Sequence, residues 1–126
     1  MLEKLLANSD LYSDREKILY SKFKDKILIR SQTLYVPKVI CEQFIKETQK
    51  YELAISGIDV FIITDKGVKP IDIADYSNAS DDTWEEYKNS CFKSSLEFLK
   101  LNPSNPDVYY EFILLGQSEW EDSSKR

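Results

Sequence analysis

Six carboxylates, Asp72, Asp75, Asp81, Asp82, Glu85 and Glu86, fall within fifteen residues that contain no lysine or arginine, and Tyr76 and Trp84 stand among them. Three chemistries suit such a stretch. Acids in a solvated loop and in the first turn of a helix are favoured by the helix dipole and need no ligand. Carboxylates beside large rings also form a protein-binding patch, because the charges steer a basic partner and the rings anchor it. Hard cations take oxygen ligands too, but the calcium-loop spacing with its central glycine is absent, and no metal site is expected. The contact set expected on the second reading is Asp72, Asp75, Tyr76, Asp81, Asp82, Trp84, Glu85 and Glu86. Trp84, at a helix start, and Trp120, in a polar tail, are both expected to be partly exposed.

The chain has no histidine. That removes Ser-His and Cys-His nucleophiles, the helical zinc-protease motif and histidine-bearing zinc sites. Acid–base work is left to carboxylates, lysines or tyrosines, and spacing singles out no pair of them. Gly57, Gly67 and Gly116 are the only glycines and lie far apart, so neither a Walker loop nor a dinucleotide fingerprint exists. Cys41 and Cys91 sit among apolar residues at helical spacing and read as reduced, buried thiols. The expectation is a non-enzyme with no cofactor.

Net charge is −5, unevenly spread. Residues 1–70 hold 12 Lys and Arg against 10 Asp and Glu, a balance of +2; residues 71–126 hold 5 against 12, a balance of −7. An acidic half repels phosphate backbones and attracts a basic protein, so nucleic acid is not an expected partner.

The elements that must carry these residues follow from periodicity and punctuation. Ser13-Asp14-Arg15-Glu16 has the form of a capping box and opens a first helix over 14–24. Residues 26–30 form a short β-branched run, a strand or a connector. Pro37 suits the first position of a second helix, whose Ile40, Cys41, Phe44, Ile45, Thr48 and Tyr51 recur at three and four and bury one face. Residues 53–57 and 59–64 have strand composition, Asp65-Lys66-Gly67 turns the chain, and 68–73 returns as a strand that Pro70 places at an edge. After the oxygen-rich loop 75–82, Asp82 and Glu85 form a second capping signature ahead of Trp84, Tyr87, Cys91, Phe92, Ser95, Phe98 and Leu99, and this helix runs to Leu101. Asn102-Pro103-Ser104-Asn105-Pro106 ends it. Residues 108–115 form a last strand, and 118–126 a polar, frayed tail.

A chain of 126 residues, 42% hydrophobic and 31% charged, fits one domain with one core. Residues 1–8 meet an acid at Glu3 and build no apolar run, and no stretch approaches the roughly 20 apolar residues of a membrane span. A cytoplasmic chain with no membrane association is expected.

The helix ending at Tyr51, the segment from Leu53 to Phe61, the hairpin through Gly67 to Lys69-Pro70, Trp84-Glu85-Glu86-Tyr87, Leu101-Asn102-Pro103 and the strand Tyr110-Glu111-Phe112-Ile113-Leu114 occur in an order that resembles a family of bacterial immunity proteins. These come from polymorphic-toxin and contact-dependent growth-inhibition loci, and the family is the one numbered forty among them. The resemblance covers about two thirds of the chain and leaves out residues 1–30. Gly57-Ile58 stands where the family pairs glycines, and Tyr76 where it tends to place tryptophan. What the resemblance implies is a protein that binds the toxic domain of a secreted effector and blocks its active site or an exosite. A nuclease toxin, with its basic groove, would suit an acidic inhibitor.

The fold expected is α+β: a small, mainly antiparallel sheet built on the 53–73 hairpin and strand 108–115, packed by two to three helices, chiefly 37–51 and 83–101. Two other functional classes stay open. A structural adaptor or assembly subunit would show an extended apolar surface, and a carboxylate-dependent enzyme a concave pocket holding one acid made basic by burial.

Overall fold

A computed structural model describes residues 2–7, 11–77, 81–102 and 105–124. Along the chain run α1 (Leu2–Ala7), α2 (Asp14–Ser21), β1 (Leu28–Arg30), β2 (Thr33–Pro37), α3 (Lys38–Lys50), β3 (Ala54–Thr64), β4 (Gly67–Asp75), α4 (Trp84–Leu101), β5 (Val108–Leu115) and α5 (Gln117–Ser124). The strands form one antiparallel sheet in the order β1-β2-β5-β3-β4. The fold is α+β. Residues 78–80 of the loop after β4, Pro103 and Ser104 of the break after α4, and residues 125–126 of the tail lie outside the described residues.

Local chemistry sets most boundaries. Ser13 caps α2 with both halves of the capping box closed: its backbone N–H donates to Glu16 at 2.7 Å, and its hydroxyl accepts from the Glu16 N–H at 3.3 Å. The helix stops at Ser21, short of the expected Lys24, and residues 22–26 continue as turns. Pro37 ends β2 in extended backbone and serves as the cap of α3, one position before the expected role. Strand β2 itself, with Leu34, Tyr35 and Val36 buried, has no counterpart among the expected elements. Thr33–Pro37 is short and breaks no clear alternation, and only its neighbours on both sides reveal it as a strand.

The hydrophobic face expected on α3 is the one buried: Ile40, Cys41, Phe44, Ile45 and Thr48. Phe44, fully buried, is the hub of the main core. Its ring meets Tyr20 at 5.3 Å and Phe23 at 5.5 Å from the amino-terminal segment, and Phe112 of β5 at 4.9 Å. α3 and α4 pack side by side, and both reach the sheet. Lys38 of α3 ties that helix to α4 and β5, donating to the Leu99 carbonyl at 2.6 Å and to the Tyr110 hydroxyl at 3.3 Å. A cation at the last turn of α4 answers both the free carbonyls and the dipole there. Cys41 and Cys91 are free and buried.

Strand β5 alternates, with Val108, Tyr110, Phe112 and Leu114 buried and the residues between them more exposed. Its partners on β3 follow from register, Val60 opposite Tyr110 and Ile58 opposite Phe112, so these residues share the helix-covered face. The β3–β4 hairpin turns at Asp65-Lys66, and Gly67 takes the positive φ of +134° that the turn requires. β4 is the edge strand that Pro70 foretold.

The β1–β2 hairpin turns on two residues, Ser31 and Gln32, with φ of 49° and 66°. Two left-handed residues are what a type I′ turn needs, yet neither is Gly, Asn or Asp, and each L-residue there costs about 1–2 kcal/mol. Gln32→Gly is therefore expected to stabilise the protein by roughly 0.5–1 kcal/mol after the greater freedom of the unfolded chain is counted. A urea titration would show a higher midpoint with an unchanged slope.

Candidate functional site

Helix α4 carries the carboxyl half of the acidic stretch. Thr83, not Asp82, caps it, its hydroxyl accepting the Glu86 N–H at 3.2 Å. The start of the helix is fixed by where Trp84 enters the core, and that leaves Asp82 outside the first turn. Glu85 and Glu86 occupy the first turn, where the free N–H groups favour negative charge.

Glu85 is already engaged. Its carboxylate lies 3.3 Å from Nζ of Lys88, which is only 4% exposed and also binds Glu52 from the turn after α3. Burial works against the Lys88 charge, but the hydrogen bonds it donates to both carboxylates, with their negative charge, outweigh it and hold the ammonium above its usual range. The Lys88 hydrogen bond in turn lowers the Glu52 carboxyl. Asp75, at the end of β4, accepts the Ser77 hydroxyl at 2.6 Å and its N–H at 2.9 Å, and these bonds hold it below the ordinary carboxylate range. Asp81 accepts the Ser90 hydroxyl at 3.3 Å. Asp72 accepts the N–H of Ile73 at 2.8 Å. Asp82 and Glu86 are exposed. Among the described residues, no lysine or arginine ion-pairs with Asp72, Asp75, Asp81, Asp82 or Glu86.

The aromatic members are placed differently from expectation. Tyr76 is half-buried; its N–H donates to Ser56 at 2.8 Å and its carbonyl accepts the Tyr87 hydroxyl at 3.3 Å. Trp84 is buried, at 5% exposure, rather than partly exposed. The reason is the carboxyl-terminal segment: residues expected as a frayed tail form α5, which lays Trp120 over Tyr87 at 5.6 Å and against Trp84 at 6.0 Å. Ala54, Trp84, Tyr87 and Cys91 thus make a second core cluster, flanked by Tyr76, Leu115 and Trp120. Trp120 keeps partial exposure, as expected.

Burial first, then the neighbouring Cys91, Asp75 and Asp81, hold the Tyr87 hydroxyl well above its usual range, and that hydroxyl donates to the carbonyl of Tyr76, the residue after Asp75. Hydrogen bonds from Tyr87 to Tyr76 and from Ser90 to Asp81 bring Asp75, Tyr76 and Asp81 to the amino-terminal half of α4, with Asp82 and Glu86 beside them in the chain and Asp72 farther along β4. Sequence reasoning missed two further acids, Asp59 of β3 and Glu111 of β5, which the register sets directly opposite each other. They are 52 positions apart, and no local pattern links them.

Among the described residues, no three His, Cys, Asp or Glu side chains are grouped to hold a metal ion, and no helix is long and apolar enough to cross a membrane. A cleft of about 520 Å³ lies between the amino-terminal ends of α2 and α5, lined by Ser13, Asp14, Arg15, Leu53, Gly116 and residues 117–119 and 121. The one carboxyl near it that burial raises, Glu16, is committed to the Ser13 cap.

The docking of α5 has a direct test. Trp120→Ala is expected to cost about 2 kcal/mol, less than the 3–5 kcal/mol of a fully buried tryptophan. It should also shift the fluorescence of Trp84 to the red as water reaches it; a blue, unchanged Trp84 spectrum would mean that the segment does not cover that ring. Comparisons with protein-family models, with curated proteins and with solved structures find no match to this chain.

Proposed function

We propose that this chain is an immunity protein, which neutralises the toxic domain of a secreted effector by binding it one to one, without catalysis or cofactor. The observation that carries the reading is an acidic surface that no cation among the described residues compensates. Asp72, Asp75, Asp82 and Glu86 are exposed, and among the described residues no lysine or arginine ion-pairs with them. Such a surface raises the encounter rate with a positively charged partner and rejects phosphate backbones. A nuclease domain, whose groove must attract phosphate, is the class of toxin that fits it best. The resemblance to immunity proteins supports the same reading.

A second reading, an assembly subunit, draws on exposed apolar residues of the sheet, Ile73 at 67% and Ile113 at 49%. Self-association on size-exclusion chromatography would favour it.

The test uses the carboxy-terminal domain encoded by the reading frame adjoining this one. Co-expression is expected to restore growth that the domain alone arrests, and the purified pair should elute as a one-to-one complex. The complex should weaken about tenfold or more from low to high salt, because exposed charges are screened. A toxic domain whose effect this chain leaves unchanged, with no complex at low salt, would end the proposal.

A further inference from the structure

We infer that the uncovered face of the sheet, where Ile73 and Ile113 flank Asp59 and Glu111, is the surface on which a protein partner docks a lysine- or arginine-bearing segment. The inference rests on the binding role proposed above and adds a second contact surface to the acids around α4, next to them through Asp75.

Register builds the face. Residues directly opposite each other point to the same side, so Asp75, Gly57 and Ile113 form one row across β4, β3 and β5, and Ile73, Asp59 and Glu111 the next. The alternate residues Ile58, Val60 and Phe112 point to the helices and are buried. On the uncovered side Ile73 and Ile113 stay 67% and 49% exposed. Gly57 shapes the floor: a Cβ there would lie 3.2 Å from Cδ1 of Ile113, which leans over the glycine and fills the row.

The charges on this face say what covers it. Like charges directly opposite in an antiparallel pair are destabilising, and Asp59 and Glu111 are such a pair, both partly shielded from water. Burial, with the Asp59 charge added, pushes the Glu111 carboxyl above its usual range. Tyr12, ahead of α2, and Tyr20 on α2 also feel Glu111, whose charge adds to the burial that raises their hydroxyls. No lysine or arginine among the described residues ion-pairs with either acid. A cation supplied from outside relieves the repulsion, while aliphatic stems cover the two isoleucines.

The partner meets the face and not the free edge of β4. Pro70 offers no N–H there, the register shifts between Val60 and Phe61, and the Asp72 carboxylate already accepts the N–H of Ile73. These devices block the addition of a strand.

The test titrates the isotope-labelled full chain with a decapeptide of alternating lysine and valine, followed by amide chemical shifts. Changes are expected to centre on residues 57–59, 73–75 and 111–113, and the double variant Asp59→Asn with Glu111→Gln should bind about tenfold more weakly. That variant should melt about 3–5 °C higher near neutral pH, so lost binding cannot be blamed on misfolding. A carboxyl whose pKa rises on folding stabilises fully below its ordinary value and loses that contribution as pH rises through the raised one. The advantage of Glu111→Gln must therefore shrink as the solution is acidified. Shifts centred on residues 81–86, undiminished binding by the double variant, a lower melting temperature, or no binding by the wild type would overturn the inference. If the peptide maps to this face but the adjoining-frame domain does not bind, the immunity reading fails and the docking surface stands.

Discussion

The last strand of the chain sits in the middle of its sheet. β5 is hydrogen-bonded to β2 on one side and to β3 on the other, and among the described residues no other strand joins the amino-terminal hairpin to the β3–β4 hairpin. Its Val108, Tyr110, Phe112 and Leu114 also form the centre of the surface on which α3 packs. Bringing residue 110 to residues 36 and 60 closes long loops, whose entropy is lost before the contacts form. The hairpins can form locally, but the core cannot close until β5 is in place. Stability is thereby shared across the chain, as all-or-none unfolding requires.

That arrangement leaves the sheet with two unlike faces. One buries aromatic and branched side chains around Phe44 and has little freedom to vary, because each lost methylene opens a void. The other holds the half-buried Asp59 and Glu111 and the exposed Ile73 and Ile113, whose replacement disturbs less packing than a change in the core. Functional chemistry can gather there at a modest cost in stability, the usual compromise of a binding surface. The acids at the start of α4 are less free, since Glu85 also neutralises a buried lysine and Asp75 also shapes the chain after β4.

Much of the fold was legible where one local signal sufficed. The three-four spacing from Ile40 to Thr48 named the buried side of α3, the apolar, aromatic run from Val108 to Leu115 named β5, and Pro70 named the edge. What escaped needed a distant partner. α1 is six residues long and earns its place by burying Leu2 and Leu6 in the main core. α5 is polar but for Trp120, and only the packing of that ring on Tyr87 and Trp84 makes it a docked helix. The same ring explains why Trp84 is buried although it opens a helix among acids. The acidic stretch before α4 was visible as composition, whereas the Asp59–Glu111 pair exists only through strand register.

The two thiols lie in different clusters, Cys41 in the main core and Cys91 beneath Trp84 and Tyr87. Burial raises both, Cys91 to about 11, so neither presents a thiolate to solvent in the closed protein. An alkylating reagent can reach each one only when its own cluster breathes. The molecule thus carries two built-in reporters, one timing the release of α5 and the start of α4, the other timing the opening of the whole.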